Sequence, residues 1–122
     1  MVTLTEGIRN ASFLVSEANG MYRSREKVTV TVPSGGIAAG TVLGAITASG
    51  KYVRHDSGLS NGAETEAGIL YETLTAAGDA EVTIIARDAE VVGAHLTYED
   101  GADAAAITAS NTALASLGII VR

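Results

Sequence analysis

Residues 27–32 of this 122-residue chain read K-V-T-V-T-V, and this alternation constrains the fold more than any other stretch. Successive side chains of a β-strand point to opposite faces, so the three valines share one face and the two threonines share the other. A helix would spread the same valines around its axis. The alternation therefore predicts a half-buried strand that begins at Lys27.

Short apolar stretches recur after this strand at intervals of roughly ten residues, with turns rich in glycine between them. Pro33 opens the first turn, and residues 77–79, which read A-G-D, are typical of a hairpin turn. Further strands are predicted over residues 41–47, 51–55, 67–74, 81–87 and 90–92. This spacing indicates a mainly β body, either a small barrel or a bent sandwich.

The C-terminal stretch has a different pattern. Residues 103–117 are rich in alanine and contain neither proline nor glycine. Asp100 or Asp103 can cap the N-terminus of a helix there, and Gly118 suits the position after its C-terminus. The pattern predicts one C-terminal helix, or two short ones if its polar middle interrupts it, and a final strand over residues 119–121. The apolar face of this helix would carry Ile107, Leu114 and Leu117.

The first 26 residues show no sustained period, so we expect a flexible N-terminal arm over residues 1–26 and a β-rich domain over residues 27–122. The net charge of −6 is uneven: residues 1–27 carry +1 and residues 28–122 carry −7. Nucleic acids and anionic membranes both require a basic surface. The acidic body therefore argues against either as a partner.

Composition limits the core and the chemistry. Alanine supplies 21 residues, tryptophan is absent and phenylalanine occurs once, so the apolar core is small and oligomerisation would help to stabilise it. The chain has no cysteine, which excludes disulfides and thiolate chemistry. We find no apolar run long enough for a membrane helix and no signal-peptide core, and we expect neither.

No group of residues predicts an active site. His55 and His95 are the only histidines, and we expect both to be ordinary surface or loop residues. Glu64 and Glu66 would share a face of an extended segment, but glycoside hydrolysis also needs a cleft, usually lined by aromatic side chains. The glycines match neither common phosphate-binding motif. We therefore expect no catalysis, no metal and no cofactor.

The N-terminal arm carries the candidate contact residues. Phe13, the only phenylalanine, can either pack on the chain's own body or anchor in a groove of a partner, together with Leu14 and Val15. Arg23 and Arg25 share a face if the arm is extended, where they can pair with carboxylates of a partner or remain solvated. These five residues are our candidates for partner contact.

The ordered set of motifs resembles the phage lambda head decoration protein family. The arm is similar to the N-termini of decoration proteins from related tailed phages. Residues 39–44 (A-G-T-V-L-G), 66–70 (E-A-G-I-L) and 113–121 (A-L-A-S-L-G-I-I-V) extend the similarity through the body, together with residues 51–53 and 82–87. The set spans most of the chain in order. The arm departs from that of the lambda protein itself, so arm contacts do not transfer residue by residue.

The resemblance implies a β-clip-like bent ribbon and a structural function. It implies homotrimers at the three-fold and quasi-three-fold positions of an expanded icosahedral head, on the outer surface of a virion assembled in the host cytoplasm. There the protein would bind neighbouring major capsid proteins and stabilise the shell against the pressure of packaged DNA. The arm would become ordered on the shell by adding a strand to a sheet.

Two other function classes remain open from the residues alone. A small β module that binds a glycan or a cell surface would rely on exposed aromatics, and only Tyr22, Tyr52, Tyr71 and Tyr98 are available. An enzyme on a trimeric bent-ribbon fold, such as a nucleotide hydrolase, would need clustered carboxylates and a phosphate site that the sequence does not provide.

Overall fold

The alternating stretch forms one wall of a closed barrel. The computed structural model describes residues 3, 5, 8–18 and 21–122. The elements within them, in chain order, are β1 (Leu14–Glu17), α1 (Met21–Ser24), β2 (Arg25–Val32), β3 (Val42–Ala45), β4 (Tyr52–Arg54), β5 (Glu66–Leu70), β6 (Gly78–Ile85), β7 (Ala89–Val91), α2 (Ala104–Ser116) and β8 (Ile119–Val121).

The barrel contains five strands in the order β2-β4-β3-β5-β6. Its longest ladder joins β2 to β6, antiparallel, from Arg25 opposite Ile85 to Val32 opposite Gly78. As the alternation predicts, Val30 and Val32 are buried inside the barrel. The interior is filled by eight buried apolar residues: Val30, Val32, Ile37, Leu43, Leu70, Val82, Ile84 and Ala86.

A second layer covers one side of this barrel. It consists of the three-stranded sheet β1-β7-β8 together with α2, and we call it the outer layer. In the sheet, β1 is antiparallel to β7, whereas β8 is parallel to β7. The apolar cluster between layer and barrel joins side chains from both: Phe13, Val42, Ile69, Ile85, Ala89, Val91, Leu114 and Ile119.

The C-terminal helix is a single element with the expected capping residue. Asp103 Oδ1 accepts a hydrogen bond from the Ala106 backbone N–H at 2.8 Å, so Asp103 rather than Asp100 is the N-cap. Gly118 follows the helix with φ +81°, a conformation that favours glycine. The chain then enters β8, which confirms the predicted final strand.

The predicted mainly β fold with a C-terminal helix is confirmed. Of the two architectures that the sequence left open for the body, a small barrel and a bent sandwich, the structure shows the barrel. Along the ladder between β2 and β6, two local predictions differ from the structure. Residues 77–79 do not form a hairpin turn, because Gly78 and Asp79 already belong to β6 and pair with Val32 and Thr31. The body strand begins at Arg25 instead of Lys27, since Arg25 pairs with Ile85 at the far end of the same ladder.

Part of the predicted arm is integrated into the fold. Residues 14–17 form β1 and pair with β7, so the chain between Leu14 and Glu17 is a strand of the outer layer. A four-residue stretch with two polar positions is too short to show the pattern of a strand. Its pairing partner β7 lies more than seventy residues later in the chain, so no neighbouring hairpin reveals the strand either. The expected flexible arm of residues 1–26 therefore includes a structured portion.

Candidate functional site

The N-terminal segment is fixed to the body at residues 10–13, which we call the arm root. Asn10 Oδ1 accepts a hydrogen bond from the Thr73 backbone N–H at 3.0 Å, and the Ala11 N–H donates to the carbonyl of Tyr71 at 2.9 Å. On the other side, the Val92 N–H donates to the Phe13 carbonyl at 2.8 Å. Backbone groups on both sides of the arm root are thus bonded to the body.

A histidine completes the arm root. His95 Nδ1 lies 3.1 Å from the carbonyl oxygen of Ser12. Because a carbonyl oxygen only accepts, Nδ1 must carry the proton in this contact. His95 lies at the end of the short 3₁₀ turn Gly93–His95, which follows β7 after Val92 and so brings the side chain beside the strand that pairs with β1.

Phe13 is an internal residue of this chain. Its side chain is fully buried in the cluster between the outer layer and the barrel, where Val91, Leu114 and Ile119 are among its neighbours. Of the two roles that the sequence left open for Phe13, the structure shows packing on the chain's own body. Leu14 is half-buried and packs against the same cluster.

Arg25 is held by a carboxylate of the same chain. Its Nε and Nη2 donate to the two carboxylate oxygens of Glu17 at 3.0 and 2.7 Å, and the Ser24 hydroxyl donates to Glu17 as well. The guanidinium carbon lies 4.4 Å from the centre of the Tyr71 ring. The Arg25 hydrogen bonds hold the pKa of Glu17 below its usual value, and the same contact raises the pKa of Arg25. This partly buried cluster fastens β1 to β2.

The remaining two candidates face solvent. Val15 is 52% exposed. The register of β1 against β7 shifts between Leu14 and Ser16, so Val15 lies in a bulge. The side chain of Arg23 is 64% exposed and forms a long ion pair of 3.7 Å with Asp88, which contributes little at such exposure. The five predicted contact residues therefore divide into three that hold the segment in place and two that remain accessible.

Besides Leu59 in a barrel loop, two exposed apolar residues were missed by the sequence analysis. Ile8 is 52% exposed just before the arm root, and Ile120 in β8 is 39% exposed. Ile120 pairs with Glu90, which in turn pairs with Ser16, so these three residues form a row across the sheet. A partial clue was available for Ile120, because alternation in an apolar strand of three residues, in a sheet covered on one side, exposes either the middle residue or the two end residues.

His55 is buried, contrary to the expectation of a surface or loop histidine. Only 3% of the residue is exposed, and Nε2 lies 3.1 Å from both Glu66 Oε1 and the Glu64 carbonyl oxygen. The hydroxyl of Ser110 in α2 donates to the same Glu66 oxygen at 2.6 Å. Serine and histidine therefore both contact the carboxylate and not each other. This arrangement connects the helix to the barrel.

The paired carboxylates do not form a common site. Glu66 is buried in the contact just described, whereas a carboxylate oxygen of Glu64 accepts a hydrogen bond from the Gly62 N–H at 2.8 Å. Among the described residues, no group of three or more metal-ligating side chains comes together. In that same part of the chain, no helix is both long and apolar enough to cross a membrane.

Two of the four tyrosines, Tyr71 and Tyr98, make contacts within the protein itself. Tyr71 lies beneath the guanidinium of Arg25, and the Tyr98 hydroxyl donates to Asn111 Oδ1 at 2.6 Å. A cavity of about 460 Å³ on the barrel is lined by polar and aliphatic side chains, including Arg54, Asp56 and Leu59, and by no tyrosine. The geometry thus gives the glycan alternative no specific support.

Comparison with known proteins identifies the family. The family model described as bacteriophage lambda head decoration protein D matches residues 3–119, from the N-terminal segment to the start of β8. A comparison with curated proteins finds no match. Because the family match covers nearly all of the 122 residues, the chain belongs to the bacteriophage lambda head decoration protein family, whose members are components of the phage capsid.

Proposed function

We propose that this chain is a cementing protein that binds the outside of an expanded phage head and stabilises it against the pressure of packaged DNA. The observation that carries the proposal is the family match over residues 3–119. We propose homotrimers at three-fold and quasi-three-fold positions, bound to neighbouring major capsid proteins. This function is structural and requires no active site.

The proposed binding region is narrower than the arm predicted from the sequence. Phe13, Leu14 and Arg25 are engaged with the chain's own body, so in this proposal they hold the binding segment in position. Val15 and Arg23 remain accessible for direct contact with the shell, and residues 1–9 precede the arm root. We assign shell contact to residues 1–9 together with these two side chains.

Multivalency explains how a short segment can support firm attachment. A trimer would present three such segments, and each additional contact forms at the high effective concentration set by those already bound. Modest affinity for each segment then gives slow dissociation of the whole trimer. The acidic body, at −7 over residues 28–122, would keep the outward surface soluble on a crowded shell.

Co-sedimentation with purified heads tests the proposal. The chain and a variant lacking residues 1–9 would be mixed with expanded heads that lack their decoration protein, with unexpanded heads as the control. This deletion spares Phe13 and β1, whereas removal of residues 1–26 would also remove part of the core. We expect binding to expanded heads only, and weaker binding after the deletion. No sedimentation of the full chain with either head would contradict the cementing function.

The trimer is tested separately. Sedimentation equilibrium measures the mass of the free protein, and electron cryomicroscopy of decorated heads locates the bound density. Density at three-fold and quasi-three-fold positions with three copies at each is the expected result. Single copies, or density centred elsewhere, would contradict the trimeric arrangement while leaving head binding intact.

A further inference from the structure

The loop between β4 and β5 contains a chemically reactive pair, Asn61 followed by Gly62. The side-chain carbonyl carbon of an asparagine, Cγ, can be attacked by the amide nitrogen of the next residue, which closes a five-membered ring. Glycine has no Cβ, so it leaves that nitrogen unhindered. Asn61 is exposed, so the water that completes such a reaction can reach it. The contacts of this loop decide whether the two groups are prepared to react.

The fold requires the glycine of this pair. Gly62 has φ +109°, in the region that favours glycine, and a Cβ at this position would lie 2.5 Å from the carbonyl oxygen of Ala45 at the end of β3. The carbonyl of Asn61 accepts a hydrogen bond from the Thr47 N–H at 2.9 Å, which holds the turn against the same part of the barrel. The unhindered nitrogen is thus a consequence of how the loop packs.

Two hydrogen bonds in the turn reach the atoms that would react. The Gly62 N–H donates to Glu64 Oε2 at 2.8 Å, so the proton of the attacking nitrogen already points at a carboxylate, which can accept it as a general base. The Ala63 N–H donates to Asn61 Oδ1 at 3.1 Å. That donor would stabilise the negative charge that develops on Oδ1 when Cγ is attacked. The turn thus supplies a base and an oxyanion donor to one reacting pair.

We propose that residues 61–64 form a self-modification site at which Asn61 loses its side-chain amide. The Gly62 nitrogen forms a bond to Asn61 Cγ while Glu64 takes the proton of that nitrogen. The bond between Cγ and the side-chain nitrogen then breaks, and the side-chain nitrogen leaves as ammonia with the proton that Glu64 returns. Water opens the resulting succinimide ring at either carbonyl, which gives aspartate or isoaspartate at position 61. The reaction consumes one water, releases one ammonia and needs no other reactant.

The product differs from the parent chain in both charge and backbone. Asn61 lines the cavity on the barrel together with Arg54 and Asp56, so the new carboxylate adds one negative charge beside that cavity to the formal −6 of the chain. Isoaspartate also inserts a side-chain carbon into the main chain before Gly62, which breaks the turn. The inference does not depend on the head-binding function. In a component of a phage capsid, the change would accumulate with the age of the particle.

Mass spectrometry of the stored protein detects the reaction. After incubation of the full chain at neutral pH, trypsin releases residues 55–87, in which Asn61 is the only asparagine, and residues 88–122, in which Asn111 is the only one. We expect a gain of one mass unit in the first fragment and isoaspartate at position 61. Asn111 is the internal control, because its Oδ1 is held by the Tyr98 hydroxyl within α2. An unchanged first fragment, or equal gains in both fragments, would overturn the proposal.

A pair of variants tests the part assigned to Glu64. Glu64→Gln retains an acceptor for the Gly62 N–H but cannot take its proton, so we expect conversion of Asn61 about tenfold slower than in the parent chain. Glu81→Gln is the matched control, because it removes the same charge at an exposed position of β6 within the same tryptic fragment, and its rate should equal that of the parent. Fragmentation of the peptide assigns the mass gain to residue 61. Conversion in Glu64→Gln as fast as in the parent, or faster, would overturn the assignment of Glu64 as the base.

Discussion

The barrel and the outer layer of this protein are assembled from very different parts of the chain. The barrel uses consecutive strands between Arg25 and Ile85, and its interior cluster draws only on that stretch and its immediate neighbour Ala86. The outer layer joins β1, β7 and β8, which come from the start, the later part and the end of the chain. The apolar cluster that it covers also includes Val42, Ile69 and Ile85, which belong to barrel strands.

This difference has a consequence for stability. The barrel can retain its own core if the layer opens, whereas the layer has no complete core without the barrel. Contacts between distant parts of the chain also carry a larger entropic cost of closure. We therefore expect the layer to open at a lower free energy than the barrel, which places the arm root on the less stable of the two regions.

Phe13→Ala should have the largest effect. Removal of a fully buried phenylalanine costs about 3–5 kcal/mol of unfolding free energy, and Phe13→Leu, which keeps most of the volume, should cost less than about 1.5 kcal/mol. Urea unfolding measures both, and hydrogen exchange should show early loss of protection in β1, β7 and β8. Equal loss of protection in β2 and β6 would argue that barrel and layer form one cooperative unit.

Leu43→Ala provides the comparison from the barrel interior. Leu43 is also fully buried, and the substitution should cost about 2–5 kcal/mol. Here protection should fall in both regions, because the layer depends on the barrel. If only the barrel strands lost protection, the outer layer would be stable without an intact barrel, contrary to this expectation.

Glu66→Leu tests the polar connection between the two regions. The change leaves the Ser110 hydroxyl without its acceptor and removes one of the two acceptors of His55 Nε2, at a cost of about 2–3 kcal/mol. Glu66→Gln retains an oxygen for both donors and should cost about 1 kcal/mol. Chemical unfolding of the pair measures the difference. Equal stability of the two variants would show that the contact does not stabilise the helix on the barrel.

Glu17→Gln tests the cluster that fastens β1 to β2, and its effect depends on pH. Because Arg25 lowers the pKa of Glu17 in the folded protein, the stabilisation is complete above the usual glutamate pKa of 4.5 and is lost as pH falls through the lower folded value. At pH 7 we expect a loss of about 1–2 kcal/mol on substitution. Below pH 4.5 the two proteins should converge in stability. If the difference in unfolding free energy between the two proteins stays constant from pH 7 to pH 3, the charge of Glu17 is not the source of the stabilisation.

The same two regions mark how far sequence reasoning reaches. The barrel strands were predictable because alternation such as that of residues 27–32 is local, and the cap at Asp103 was predictable because its partner Ala106 is three residues away. The helix and final strand of the outer layer were predicted as elements, but the assembly of the layer was not, since β1 pairs with β7 and the accessibility of Phe13 depends on Leu114 and Ile119. His55 was misjudged for the same reason, because Glu66 and Ser110 lie on separate elements.

Val15→Ser should have the smallest effect on stability and the most direct bearing on function. Val15 is 52% exposed, so the free energy of unfolding should change by less than about 0.5 kcal/mol. Leu59→Ser, at an apolar position 39% exposed in a loop of the barrel, is the matched control from the other region. If the shell rests against the outer layer, Val15→Ser weakens co-sedimentation with expanded heads and Leu59→Ser does not. If only Leu59→Ser weakens binding to expanded heads, the contact surface lies on the barrel. The outer layer would then support the binding segment without being part of the interface.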